Sequence, residues 1–138
     1  MHSQEYLDAM RSHLQRLSWD RPAPLDAEVL AHQARLRREE VARPVVYIGT
    51  GTCGLGAGAD ETLIAIRSWI KSNDADLEVV EVGCIGLCTE EPIVDIQLPG
   101  QPRISFSRVQ ASSVEALLRT ALGGERPEQS SLGYFGPQ

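Results

Sequence analysis

VVYIGTGTCGLGAGADE, residues 45–61, is the stretch on which the reading of this chain turns. Pro44 precedes it, and residues 45–48 are consecutive apolar β-formers ending at a glycine. Such a run predicts a strand buried on both faces. Gly49, Gly51 and Gly54 then spell G-x-G-x-x-G, with Cys53 inside the spelling. Asp60 follows as an expected helix N-cap, with Glu61 in the first turn. Leu63, Ile66 and Ile70 recur at i, i+3 and i+7 with Trp69 beside them, which predicts a helix ending near residues 72–74. The order is strand, glycine-rich loop, helix.

Downstream, residues 77–82 (LEVVEV) read as a second strand. Residues 83–92 form a loop that holds Cys84 and Cys88. Residues 93–98 (IVDIQL) are a third strand, alternating less cleanly. The Pro and Gly of residues 99–102 make a turn, and the alternating residues 103–107 complete a hairpin. Ser112 and Glu115 spell a capping box before Val114, Leu117, Leu118, Ala121 and Leu122, and Gly123 with Gly124 stops that helix.

Upstream, Tyr6, Met10, His13, Leu14 and Leu17 share one helical face over residues 3–17, with Ser3 as N-cap. The prolines of residues 20–24 break it. A second helix is expected from Asp26 to about Val41, with a weak stripe of Val29, Leu30 and Leu36. Its charged end, residues 35–40, reads as a solvated helix terminus. There is no internal repeat. Residues 1–43 are thus read as a helical appendage, 44–123 as the main domain and 124–138 as a linker or tail in which Tyr134 and Phe135 could dock. A β-α-β unit followed by a β-hairpin and a helix is an α/β, thioredoxin-like arrangement, here with two N-terminal helices.

Composition bounds the function. One domain is expected of 138 residues, and an aromatic content of 5% makes its core aliphatic. A net charge of −6 argues against nucleic acid as a partner. No apolar run is long enough for a membrane span, and no secretory signal opens the chain. Three cysteines, an odd number, fit a reducing compartment better than a disulfide framework, so a cytoplasmic protein is expected.

The glycine-rich loop could hold a pyrophosphate or a metal. A dinucleotide site needs an acidic residue about 20 positions on. Glu81, near the end of the second strand, lies 32 residues after Gly49, and the hairpin leaves no room for a doubly wound sheet. No Lys occurs between Arg43 and Lys71, so the P-loop spelling is absent as well. Cys84 and Cys88, in contrast, form C-x₃-C among glycines, and Cys53 sits at another strand-to-loop junction. If the first two strands pair in parallel, both loops leave the same sheet edge and three thiols converge. Glycine backbones can approach a metal cluster closely and donate N–H groups to its sulfurs.

These residues resemble a known family. The segment GTCGLGAGADETL, then VVEVGCIGLCTEEPIVDIQLPGQPRISF, is similar to the thioredoxin-like [2Fe–2S] ferredoxins. The nearer likeness is to the form found as the N-terminal domain of flavin-bearing, NADH-oxidising subunits. Those subunits belong to NADH:quinone oxidoreductase-like enzymes, bifurcating hydrogenases and NAD-linked formate dehydrogenases. Cys84, Gly86, Cys88, Pro92, Ile93 and Val94 stand where that family has G-C-x-G-x-C, Pro and an apolar strand. The resemblance spans residues 45–122.

It implies an electron-transfer or docking module with Cys53, Cys84 and Cys88 as ligands of a [2Fe–2S] cluster. Its partners would be other subunits or domains of a flavin/iron–sulfur oxidoreductase. FMN and NADH are expected only in a following domain or partner, so the chain alone should not be an enzyme. The family places a fourth cysteine about five residues before Cys53, where this chain has Ile48 or Gly49. His2, His13 and His32 all lie in the appendage, and Thr50, Thr52, Asp60 and Thr89 offer only oxygen. Two readings therefore stand: a cluster with an unknown fourth ligand, or a cluster-free thioredoxin-like scaffold with free thiols for subunit interaction. Zinc would need His32 to fold over the loop. A thiol oxidoreductase would need the missing C-x-x-C.

Overall fold

The computed structural model describes residues 3–16, 26–125, 127–129 and 131–135. The chain forms two compact units, residues 1–38 and 39–138. In the first, α1 (Ser3–Arg16) and α2 (Ala27–Leu36) are the described elements. Asp26 caps α2, its Oδ1 accepting from the Val29 N–H at 2.8 Å. That helix stops five residues before the expected end, and Arg38 takes a positive φ of 53° just after it. The breaking stretch at residues 20–24 lies outside the described residues.

The second unit is a five-stranded sheet in the order β2-β1-β3-β4-β5. Its strands are β1 (Val45–Gly49), β2 (Glu78–Val82), β3 (Val94–Gln97), β4 (Arg103–Phe106) and β5 (Ser131–Phe135). β1 and β2 run parallel, with Val45 opposite Glu78 and Gly49 opposite Val82. β3, β4 and β5 add antiparallel, each to the strand before it in the order. The helices are α3 (Thr52–Gly56), α4 (Ala59–Asn73) and α5 (Val114–Leu122).

Side chains alternate across a strand, so each buried face can be read off by twos. Val46 and Ile48 of β1, with Val94 and Ile96 of β3, join Phe106 in the core. Leu63 and Ile66 of α4 and Leu117, Leu118 and Ala121 of α5 meet them there. Ile48 is fully buried. The opposite set, Tyr47, Asp95, Gln97 and Ser105, is buried too, which is why β3 alternates poorly in sequence. These polar groups satisfy one another. Tyr47 donates to Gln97 Oε1 at 2.8 Å, Ser105 donates to Asp95, and Arg103 bridges Asp95 at 2.9 Å.

Four features differ from the expectations. The short helix α3 forms within the glycine-rich loop. Gly58, at φ 96°, caps α4 in place of Asp60, which sits in the first turn with Glu61. α5 begins after a single 3-10 turn (Ala111–Ser113) and no side chain caps it, so the Ser112 capping box does not form. The segment read as a tail contributes β5, which pairs with β4 across a register shift at Ser105/Phe106. Gln129 leads into it, donating to the Ser107 carbonyl at 2.6 Å. The side chains of Tyr134 and Phe135 lie outside the description. Within the unit of residues 39–138, Arg43 pairs with Asp76 at 3.1 Å and Gln97 donates to the Glu39 carbonyl at 3.4 Å.

Candidate metal centre

β1 pairs with β2 in parallel, which is the condition under which the two cysteine loops leave the same sheet edge. The Thr50 N–H donates to the Val82 carbonyl at 2.9 Å, so the pairing persists into the loops. The first loop turns at once into α3, which carries Cys53. The second runs through Cys84 and a left-handed Gly86 (φ 90°) into a 3-10 turn, Cys88–Glu90. The ligand atoms of Cys53, Cys84 and Cys88 all lie within 4.8 Å of one another. Cys84 Sγ and Cys88 Sγ are 3.5 Å apart. Asp60 is exposed on α4 and outside this group, and among the described residues no histidine joins it.

The three glycines of the opening motif are explained by what surrounds them. A Cβ on Gly54 would lie 2.2 Å from the Gly49 carbonyl oxygen. One on Gly51 would lie 3.2 Å from both Cβ and N of Cys84, so this glycine lets the two cysteine loops touch. One on Gly49 would lie 3.0 Å from each carboxylate oxygen of Glu91. A pyrophosphate at this turn would need the space beside the second glycine, Gly51, and Cys84 of the other loop fills it. The glycines therefore serve loop-to-loop packing and not a nucleotide.

Local electrostatics separates the thiols. Cys84 is held below the usual thiol range by a hydrogen bond from Cys53, then by the Gly86 N–H at 3.2 Å and by Cys88. Cys53, bonded first to Cys84 and then to Cys88, is pushed up to about 12. The thiolate is the reactive form, so in metal-free protein at neutral pH Cys84 is expected to alkylate first. Cys53 should lag by at least ~10-fold, the thiolate fraction falling tenfold per pH unit. Time-resolved iodoacetamide labelling read by peptide mass spectrometry checks this; Cys53 reacting first would contradict it.

The donor set suits a soft metal. Thiolates select iron–sulfur clusters, zinc and copper(I). The loop is open, with Cys84 and Cys88 exposed and Cys53 half-buried, and an N–H already points at one sulfur. Reasoning from sequence did not single out Glu91, which lies beside Cys53. Its signal is faint, an acidic residue three positions after Cys88 and before Pro92.

Comparison with known proteins bears on the fold. No family model matches the sequence. The structure of a thioredoxin-like [2Fe–2S] ferredoxin from Aquifex aeolicus superposes with a TM-score of 0.60 at 16% identity. The match covers 70% of this chain and 96% of that one. The fold is thioredoxin-like. A second structure of the wild-type Aquifex protein gives a TM-score of 0.54 over 64% of this chain and 93% of that one, again at 16% identity. In sequence, the NADP-reducing hydrogenase subunit HndB of Solidesulfovibrio fructosivorans is 25% identical over 77 residues. That alignment covers 55% of this chain and 61% of HndB, so the chain matches about three-fifths of that relative. Among the described residues, no helix is long and apolar enough to cross a membrane.

Proposed function

We propose that the unit of residues 39–138 is an electron-transfer module that holds a [2Fe–2S] cluster on Cys53, Cys84 and Cys88. The observation that carries this is the convergence of three thiols from two separate loops within 4.8 Å. Such a cluster, when bound, supplies one-electron transfer. The protein's part is to hold the thiolates and tune them. The Gly86 N–H withdraws charge from Cys84 Sγ, which favours the reduced form of a bound centre. The openness of Cys84 and Cys88 leaves a short path for an electron to a docked partner. Leu55, Ile85 and Leu87 are large apolar side chains exposed beside the three cysteines, and they offer that partner an uncharged contact.

The partner class we propose is a flavin-bearing, NADH-linked subunit or domain of a multi-subunit oxidoreductase. The family resemblance, the ferredoxin fold and the likeness to a hydrogenase subunit support it. FMN and NADH would be bound there. Protein reconstituted anaerobically with iron and sulfide is expected to be reddish-brown, with about two irons and two sulfides per chain. Colourless, iron-free protein after the same treatment would favour the cluster-free scaffold.

A further inference from the structure

Glu91 is only 6% exposed, yet among the described residues no salt bridge reaches it. Its neighbour Glu90 pairs with Arg108 at 3.3 Å. Glu91 Oε2 accepts from the Ile93 N–H at 2.7 Å, and Oε1 faces Cys53 Sγ at 4.0 Å. A carboxylate has about four acceptor sites, and a buried one left short of partners is costly. The group is therefore aimed at the thiol site with capacity to spare.

Its position is also telling. The fourth thiol that a cluster loop would want falls at residue 48 or 49. Ile48 points into the core, and the side-chain direction of Gly49 leads straight to the Glu91 carboxylate. Two donor pairs result: Cys84 with Cys88 at 3.5 Å, and Cys53 with Glu91 at 4.0 Å. Tetrahedral coordination with metal–sulfur bonds of about 2.3 Å and metal–oxygen bonds of about 2.1 Å sets donors ~3.5–3.8 Å apart. The Cys84–Cys88 pair is at that spacing, and the Cys53–Glu91 pair is a few tenths of an ångström wider.

We infer that Glu91 supplies the fourth donor to the metal centre, through Oε1, beside the thiolates of Cys53, Cys84 and Cys88; the inference rests on the cluster reading above. Oxygen is the harder donor, and the Ile93 N–H on Oε2 orients the carboxylate as outer hydrogen bonds orient other metal ligands.

The test uses the full chain reconstituted with ferrous iron and sulfide. Iron X-ray absorption of the wild type should show an oxygen component at about 2.0–2.2 Å beside sulfur. Glu91→Gln keeps an acceptor for Ile93 but not the anion. It should lose at least ~10-fold in iron retention against a chelator. It should also lose the oxygen component, and the electron paramagnetic resonance of the reduced cluster that it retains should shift. A coloured wild type with sulfur-only iron, or a Glu91→Gln protein with unchanged retention and resonance, overturns this inference and leaves the cluster reading standing. A wild type that takes up no iron overturns both.

Discussion

Cys88→Ser and Cys84→Ser are each expected to strip reconstituted protein of its visible chromophore and of most of its iron. Serine is nearly isosteric, so the substitution tests the sulfur alone. Its hydroxyl stays protonated where a thiol would ionise, and it is a poor donor to a soft centre. With three thiols in the group, either change leaves two. The loss should exceed the ~10–100-fold that follows from disturbing groups one shell further out. The fold should hardly notice, because both side chains are exposed and neither belongs to the core. Surface substitutions of that kind stay within about 0.5 kcal/mol. The pair of readouts is therefore iron per chain after desalting and the thermal midpoint of the metal-free protein. Iron lost with the midpoint kept assigns ligation. Iron kept means that the residue is not a ligand. Cys53→Ser should behave alike for iron, but here the midpoint should fall modestly, since Cys53 is half-buried and faces Glu91.

The β-α-β unit, the hairpin and the last helix were legible because each carries its own period. Leu63, Ile66 and Ile70 mark α4, and Val114, Leu117, Leu118 and Ala121 mark α5. Parallel pairing of the first two strands was enough to predict that Cys53, Cys84 and Cys88 would meet. What escaped has no local signature. β5 reads Ser-Leu-Gly-Tyr-Phe between polar residues, and only the open edge of β4 makes it a strand. α3 is five residues long with two glycines, so its propensity is poor; it forms where the chain must turn between β1 and α4. Glu91 meets Cys53 across 38 positions, a contact set by sheet register and invisible to spacing rules. The same register explains the G-x-G-x-x-G spelling of Gly49, Gly51 and Gly54. The glycines look like a nucleotide fingerprint because both kinds of loop need backbone in close approach, and the sequence alone does not show what is being approached.

Gly54→Ala is expected to be the most damaging single methyl in the chain's second unit. The added carbon would sit 2.2 Å from the Gly49 carbonyl oxygen and 3.0 Å from its carbonyl carbon. Neither atom can rotate away. Gly49 ends β1 between two neighbouring strands, opposite Val82 and with its N–H on the Ile93 carbonyl at 3.1 Å. Relief requires α3 to move off β1, which drags Cys53 with it. Overpacking of this kind costs ~3 kcal/mol or more. For a unit of this size that lowers the melting midpoint by roughly 12–24 °C. Gly56→Ala provides the contrast within the same short helix: nothing lies within 4 Å of its added Cβ. With no clash, the stiffer unfolded chain should leave that variant unchanged or up to ~1 kcal/mol more stable. Circular-dichroism melts of the two metal-free variants measure the difference without any contribution from iron. Equal midpoints would mean that Gly54 is not a packing requirement, and that the close approach of α3 to β1 is not what places Cys53 at the site.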